Sequence, residues 1–333
     1  MLHIVFTTED LAKIRMAAEP DYLWEVANSV QTLRRRDGVR MFREWRRWAR
    51  SRIPKTLTRL APLLPPQGYS PDFLTPASPD PAVPDVALNA LLSTPRTRLR
   101  TDLARLAESQ RRLPRWTGRL AEGDLDTLRQ LEESIRLYHA RVLAPIWPRV
   151  QSHVYADRII RMRSFLEEGV DGLLSGLGPQ IQWSRPVLEV DYPFDQVLHL
   201  EGRGITLQPS YFCWPTPVKL ADPQLPPVLV YPVERDDILS PSPPALTSTQ
   251  QADPVGALIG RTRAGVLRAA ATGSSTGELA RLLDISPSAV SQHAAILREN
   301  GLLQTFRKGG RTMHTLTAHG RAFLQDTERV VHL

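Results

Sequence analysis

With 333 residues, 42% hydrophobic and 23% charged side chains, the chain has the length of about two domains and a globular composition, which excludes a disulfide-stapled miniprotein and wholesale disorder despite 29 prolines. One cysteine, Cys213, excludes an internal disulfide or a cysteine-rich metal cluster within the chain and fits a reducing compartment. The net charge of +7 points to an anionic partner without separating nucleic acid from acidic lipid.

The charge is unevenly placed. Residues 1–120 carry +9, residues 121–253 carry −7 and residues 254–333 carry +5, so two basic ends flank an acidic middle. The start reaches Glu9 and Asp10 with no basic segment ahead of an apolar core, and no stretch approaches the ~20 apolar residues that span a bilayer. A cytoplasmic, nucleoid-associated protein without a membrane partner is the expectation.

In chain order, Tyr22, Leu23, Val26, Ala27, Val30 and Leu33 form one helical stripe, and Met41, Phe42, Trp45 and Trp48 predict a second helix. The arginines from Arg34 to Arg52 are read first as a solvated or acid-paired helix face, with contact to flanking DNA as the alternative. Eight prolines between Pro62 and Pro84 predict an extended surface strap without helix or central strand. Helical spacing then resumes at Leu99, Leu103 and Leu106, continues through Leu125, Leu128, Leu131, Ile135 and Val142, and reaches a further helix carrying Val150, Val154 and Leu166. From Gln180 the runs VLEVDY, QVLHLEG, GITLQPSYF and PVLVYPV have strand grammar, with Gly202-Arg203-Gly204 as a hairpin turn. Trp183, Tyr192, Tyr211, Phe212 and Trp214 are read as core packing before a ligand pocket, and Cys213 as a buried, inert thiol. The Ser/Pro-rich stretch 240–253 reads as an interdomain linker. The predicted class is α+β: a mainly helical domain with a small sheet over 1–239, then a second domain over 254–333.

Residues 254–333 hold the strongest functional signal. Val255, Leu258, Ile259, Val266 and Leu267 predict a helix ending near Gly273. Ser275 and Glu278 have capping-box spacing ahead of a short helix with Leu279, Ala280, Leu282 and Leu283 inside. After the turn Asp284-Ile285-Ser286, Ser286 and Pro287 start a third helix that stops at Asn300-Gly301, which is helix-turn-helix spacing. Val290, Ala294 and Leu297 should face its core, leaving Ser288, Ser291, Gln292 and Ala295 outward, short or amide side chains suited to a major groove. His293 is divided between reaching a phosphate and packing between helices. A Gly-Gly hairpin then carries Arg307, Lys308 and Arg311 at its tip as a wing for phosphates or a minor groove, and Ala318–Val331 closes as a helix.

The string ELARLLDISPSAVSQHAAILRENGLLQTFRKGGRTMHTLT, with Ser286, Ser288, Val290, Ser291 and His293 at its centre, resembles the DNA-binding core of ArsR-type winged-helix repressors. That resemblance implies a homodimer joined by the first and last helices of the domain, bound to double-stranded DNA and repressing transcription, with Ser286, Ser288, Ser291, Gln292, His293, Arg307, Lys308, Arg311 and Thr312 at the DNA. Metal-sensing members carry cysteine pairs on the helix before the turn, but Gly277–Arg281 has none, so no metal or other cofactor is expected. FTTEDLAKIRMA, DYLWEVANSV, GRGITLQPSYF and PPVLVYP are similar to a domain of unassigned function found ahead of such cores in actinobacterial regulators. A small-molecule effector read by that domain stays open. No metalloprotease, phosphate-loop or nucleophile-elbow motif is present, so an enzyme is not expected. The alternatives are a large domain that binds or transforms a small molecule, and a winged helix used only for assembly.

Overall fold

The computed structural model describes residues 1–53, 57–110, 112–234, 254–271, 273–308 and 311–329. The chain divides into two compact units, Met1–Pro244 and Ala245–Leu333. The expected linker 240–253 lies outside the described residues.

The first unit runs β1 (Leu2–Val5), α1 (Thr8–Ala12), β2 (Arg15–Met16), α2 (Tyr22–Arg34), α3 (Val39–Arg50), α4 (Leu57–Leu63), α5 (Pro84–Leu92), α6 (Arg96–Ser109), α7 (Trp116–Ala121), α8 (Leu125–Tyr138) and α9 (Trp147–Ser175). Six strands follow: β3 (Ile181–Ser184), β4 (Val187–Val190), β5 (Gln196–His199), β6 (Thr206–Ser210), β7 (Val218–Lys219) and β8 (Val228–Pro232). Local chemistry sets several starts. Thr7 and Asp10 close a capping box on α1, Asp21 caps α2 by accepting from the Leu23 and Trp24 amides at 2.9 Å each, and Asp124 accepts from the Thr127 amide at 2.9 Å on α8.

The stripe from Tyr22 to Leu33 is buried as expected, and it joins Phe42, Trp45, Leu99, Leu103, Leu131 and Tyr138 in a helical core. A second core gathers Leu2, Ile4, Leu188, Val190, Leu207 and Leu229 around the strands. The expected small sheet is two four-stranded sheets, ordered β3-β4-β1-β5 and β2-β6-β8-β7. Strand β1, which the sequence reading passed over, is interior: Ile4 stands opposite Leu188 of antiparallel β4 and Leu198 of parallel β5. Gly202-Arg203-Gly204 links β5 of one sheet to β6 of the other and so is not a hairpin turn.

The proline strap is shorter than predicted. Helix α4 runs through Pro62 to Leu63, a 3-10 turn forms at Asp72–Leu74, and Pro84 opens α5 in the first-turn position that tolerates its missing amide hydrogen. Leu125 and Leu166 carry the right period but are exposed, because the packed faces of α8 and α9 run through Leu128, Leu131 and Ile135 and through Val150, Val154 and Asp157. The aromatic segment is core. Phe212 lies 4.6 Å from the Trp45 ring, Tyr211 5.2 Å from Phe212, and Trp183 meets Phe6 edge-on at 5.3 Å. Cys213 is buried, its thiol donating to the Thr216 and Val230 carbonyls.

The arginine-rich segment from Arg34 to Arg52 spends part of its charge locally. Arg46 is buried and donates to the Thr32 and Asp37 carbonyls at 2.8 and 2.6 Å, Arg34 to the Leu64 carbonyl at 2.6 Å, and Arg52 stacks on Trp48 at 4.5 Å. Arg36, Arg40, Arg43 and Arg47 face solvent.

The second unit runs α10 (Pro254–Ile259), α11 (Arg261–Ala269), β9 (Ser274–Ser275), α12 (Thr276–Leu283), α13 (Pro287–Glu299), β10 (Leu303–Lys308), β11 (Arg311–Leu316) and α14 (Ala318–Arg329). Its core holds Leu267, Leu279, Val290, Ala294, Leu297 and Leu316. The single first helix expected from the sequence is two, because Gly260 at φ +87° takes a conformation that stops α10 before α11 begins. Leu282, assigned to the buried stripe of α12, is 70% exposed; Leu279 and Ala280 carry the packing. The hairpin β10–β11 is joined by β9 into a three-stranded sheet, so the second unit is a winged helix-turn-helix.

Candidate nucleic-acid interface

Two capped helices and a hairpin build the surface. Ser275 and Glu278 form the capping box expected on α12, with the Glu278 carboxylate accepting from the Ser275 amide at 2.8 Å and the Ser275 hydroxyl from the Glu278 amide at 3.3 Å. Asp284 turns the chain at φ +52°, and Ile285 tucks against the core between α12 and α13. Ser286 then caps α13, its Oγ accepting from the Ala289 amide at 3.1 Å, with Pro287 in the first turn.

On α13 the buried positions are Val290, Ala294 and Leu297, as expected from their spacing. Ser288, Ser291 and Gln292 are exposed. Ser288 Oγ lies 2.9 Å from Ser286 Oγ, and Ser291 donates back to the Pro287 carbonyl at 2.9 Å, so both hydroxyls keep lone pairs toward solvent. Gln292 makes no side-chain hydrogen bond among the described residues. Ala295 is half-buried, and so is His293, whose Nδ1 is enclosed without a hydrogen-bond partner among the described residues. That histidine is partly withdrawn from the face on which Gln292 stands.

The two wing strands stay in register through Arg307 opposite Thr312 and Lys308 opposite Arg311; residues 309 and 310 lie outside the described residues. Arg307 is exposed and Thr312 half-buried. The side chains of Lys308 and Arg311 also lie outside the described part of the structure.

Sequence reasoning missed four residues here. Thr276 and Gly277 at the start of α12 and Arg281 in its last turn line one open concavity with Ser275 and Thr312 of β11. An exposed guanidinium beside the amino-terminal end of a helix and a hydroxyl is chemistry that accepts an anion. The signal available was position: all three lie on the first helix of the helix-turn-helix. The fourth is His314, buried in β11, whose ring bridges Thr276 Oγ1 at 2.9 Å and Thr305 Oγ1 at 3.0 Å. It pins α12 to both wing strands. Burial, and then the Arg298 charge, hold this imidazole below the ordinary histidine range, so the pin is neutral near pH 7.

Among the described residues no three His, Cys, Asp or Glu side chains gather in a metal-binding group, and no helix is long and apolar enough to cross a membrane.

The family model for "Bacterial regulatory protein, arsR family" matches residues 263–305, from α11 into β10. Among solved structures, reduced HlyU from Vibrio cholerae N16961 is 31% identical to this chain, over 23% of this chain and 80% of HlyU, with a TM-score of 0.21. No curated protein matches the chain. The C-terminal unit therefore carries an ArsR-type helix-turn-helix, and the chain is a DNA-binding transcriptional regulator.

Proposed function

We propose that the protein is a homodimeric repressor that binds a roughly palindromic operator, laying α13 of each copy in successive major grooves. The observation that carries this reading is the exposed, uncharged edge of α13, formed by Ser288, Ser291 and Gln292 beside the Ser286 cap, in a domain whose hairpin ends in Arg307, Lys308 and Arg311. Amide and hydroxyl groups on such a helix match the donor and acceptor pattern of base edges, while the cationic tip supplies affinity through counterion release. Thr312 and Arg281 join the phosphate contacts, and His293 supports α13 from its partly enclosed position. No metal, cofactor or catalytic step has a part, and the site of action is the cytoplasm, at the nucleoid. The first unit serves regulation or dimerisation, and any small-molecule effector acts there.

Two substitutions separate the roles. Gln292→Ala is expected to relax base preference at one operator position, costing ~1–3 kcal/mol on the preferred duplex and little on random DNA. Lys308→Ala is expected to weaken all duplexes alike and to reduce the slope of log K against log salt by about one contact. Anisotropy titrations against specific and random duplexes at several salt concentrations read both effects. Equal losses on both duplexes for both variants contradict the assignment.

A further inference from the structure

Helix α9 presents an apolar seam that no described residue of its own unit covers. Tyr155, Ile159, Met162 and Leu166 recur at intervals of four, three and four residues, and Phe165 borders them; all five are between 45% and 76% exposed. The inward face of the same helix is formed by Val154, Asp157 and Arg161, all buried, with Asp157 holding Arg161 at 3.0 Å and accepting from the Tyr231 hydroxyl at 2.5 Å. The helix is therefore fixed in rotation, and its second apolar face points to solvent. Gly169, at φ +66°, breaks the helical path and ends the seam.

We propose that this seam is the surface through which a second copy of the chain docks, α9 against α9, antiparallel about a two-fold axis near residues 160–161. Three features favour a second copy. The spacing is that of a coiled-coil a/d seam, which is complementary to an identical helix. The bare apolar area is on the order of 500 Å² per copy, as large as the patches that mark interaction sites; hiding it twice, with its rim, reaches the ~1,200 Å² at which specific interfaces begin. The flanking charges select the orientation. In a parallel pair, Arg158 and Arg163 face each other across the seam in the positions where opposite charges belong; in an antiparallel pair Arg158 falls beside Phe165 and Arg163 beside Ala156, and the repulsion is gone. Arg163 is further neutralised by Glu167, 2.7 Å away on its own helix. An acidic membrane surface would suit the arginines but not Glu167 and Glu168 at the end of the seam.

The antiparallel register puts Ile159 opposite Met162 of the second copy. The test is cysteine cross-linking of the full chain in the absence of DNA, so that its outcome does not depend on operator binding. A mixture of differently tagged Ile159→Cys and Met162→Cys chains should form mixed disulfides under mild oxidation, at least ten times more than either chain alone. Adding Leu166→Glu or Tyr155→Glu, both at exposed positions, should remove the mixed product while far-UV circular dichroism is unchanged. Adding Val39→Glu, on an exposed site of α3, should leave it intact. Absence of the mixed product, cross-linking of Ile159→Cys chains with themselves at a comparable level, or indifference to both glutamate variants overturns the proposal. Flotation of an uncross-linked chain with anionic vesicles overturns it in favour of a membrane. Operator binding measured separately on the same chains shows whether the repressor reading stands or falls on its own.

Discussion

His314 carries a functional consequence at the scale of one side chain. Its ring is enclosed, joins Thr276 of α12 to Thr305 of β10, and is held below the ordinary histidine range by burial and Arg298. A histidine whose folded pKa is depressed leaves stability intact above its unfolded value near 6.5 and takes it away as the pH falls through the folded value, because the unfolded chain then binds the extra proton. Acidification should therefore loosen the wing before it alters the DNA-facing side chains. In calorimetric scans of the full chain between pH 7.5 and 5, the stability advantage of wild type over His314→Gln in the C-terminal transition should shrink steadily with pH. Parallel profiles for the two proteins contradict this role. No local pattern singles out His314, because its importance comes from two hydroxyls, 38 and 9 residues away, that fold around it. Ser275, Glu278 and Ser286 were legible for the opposite reason: capping is a contact within three residues.

Among elements, the helix-turn-helix was readable nearly throughout, since helical periodicity, caps and stop residues are local. What escaped were features decided by distant partners. Strand β1 has an alternating pattern too short to stand out, and it becomes interior because residues some 190 positions later pair on both its edges. The outward turn of Leu282 and Leu166 was likewise hidden, because period alone does not say which face meets a neighbour.

The joint between helix α2 and the loop after β6 shows the same long-range logic. The buried Glu25 carboxylate accepts from the Tyr211 amide at 2.7 Å and the Phe212 amide at 3.0 Å, while Thr32 donates to the Phe212 carbonyl and Asn28 to Ser210. Removing that acceptor strands two buried amides. Glu25→Ala should cost about 2–4 kcal/mol, with Glu25→Gln milder, read as a lower urea midpoint by tryptophan fluorescence. A loss below ~0.5 kcal/mol would mean the amides find other acceptors. On the C-terminal side, Ser275→Ala should cost about 1 kcal/mol through the lost cap on α12, seen as a fall in the melting temperature of that domain.

Across the whole molecule, the charge pattern keeps its meaning once the units are known. The C-terminal unit is basic overall, which suits a polyanion, and in the proposed reading its specificity rests on the neutral groups exposed on α13. The first unit spends arginines such as Arg34 and Arg46 on its own carbonyls, so its excess positive charge overstates what it offers to a partner. The proposed division of labour places affinity in the wing and sequence reading in α13. It is tested most directly by titrating the full-length protein with duplex fragments from its own promoter and with random duplex, across salt. Promoter duplex should bind more tightly than random duplex at every salt concentration, with both affinities falling steeply and linearly in log salt. Equal affinity for the two duplexes, or no binding to either at low ionic strength, would contradict it.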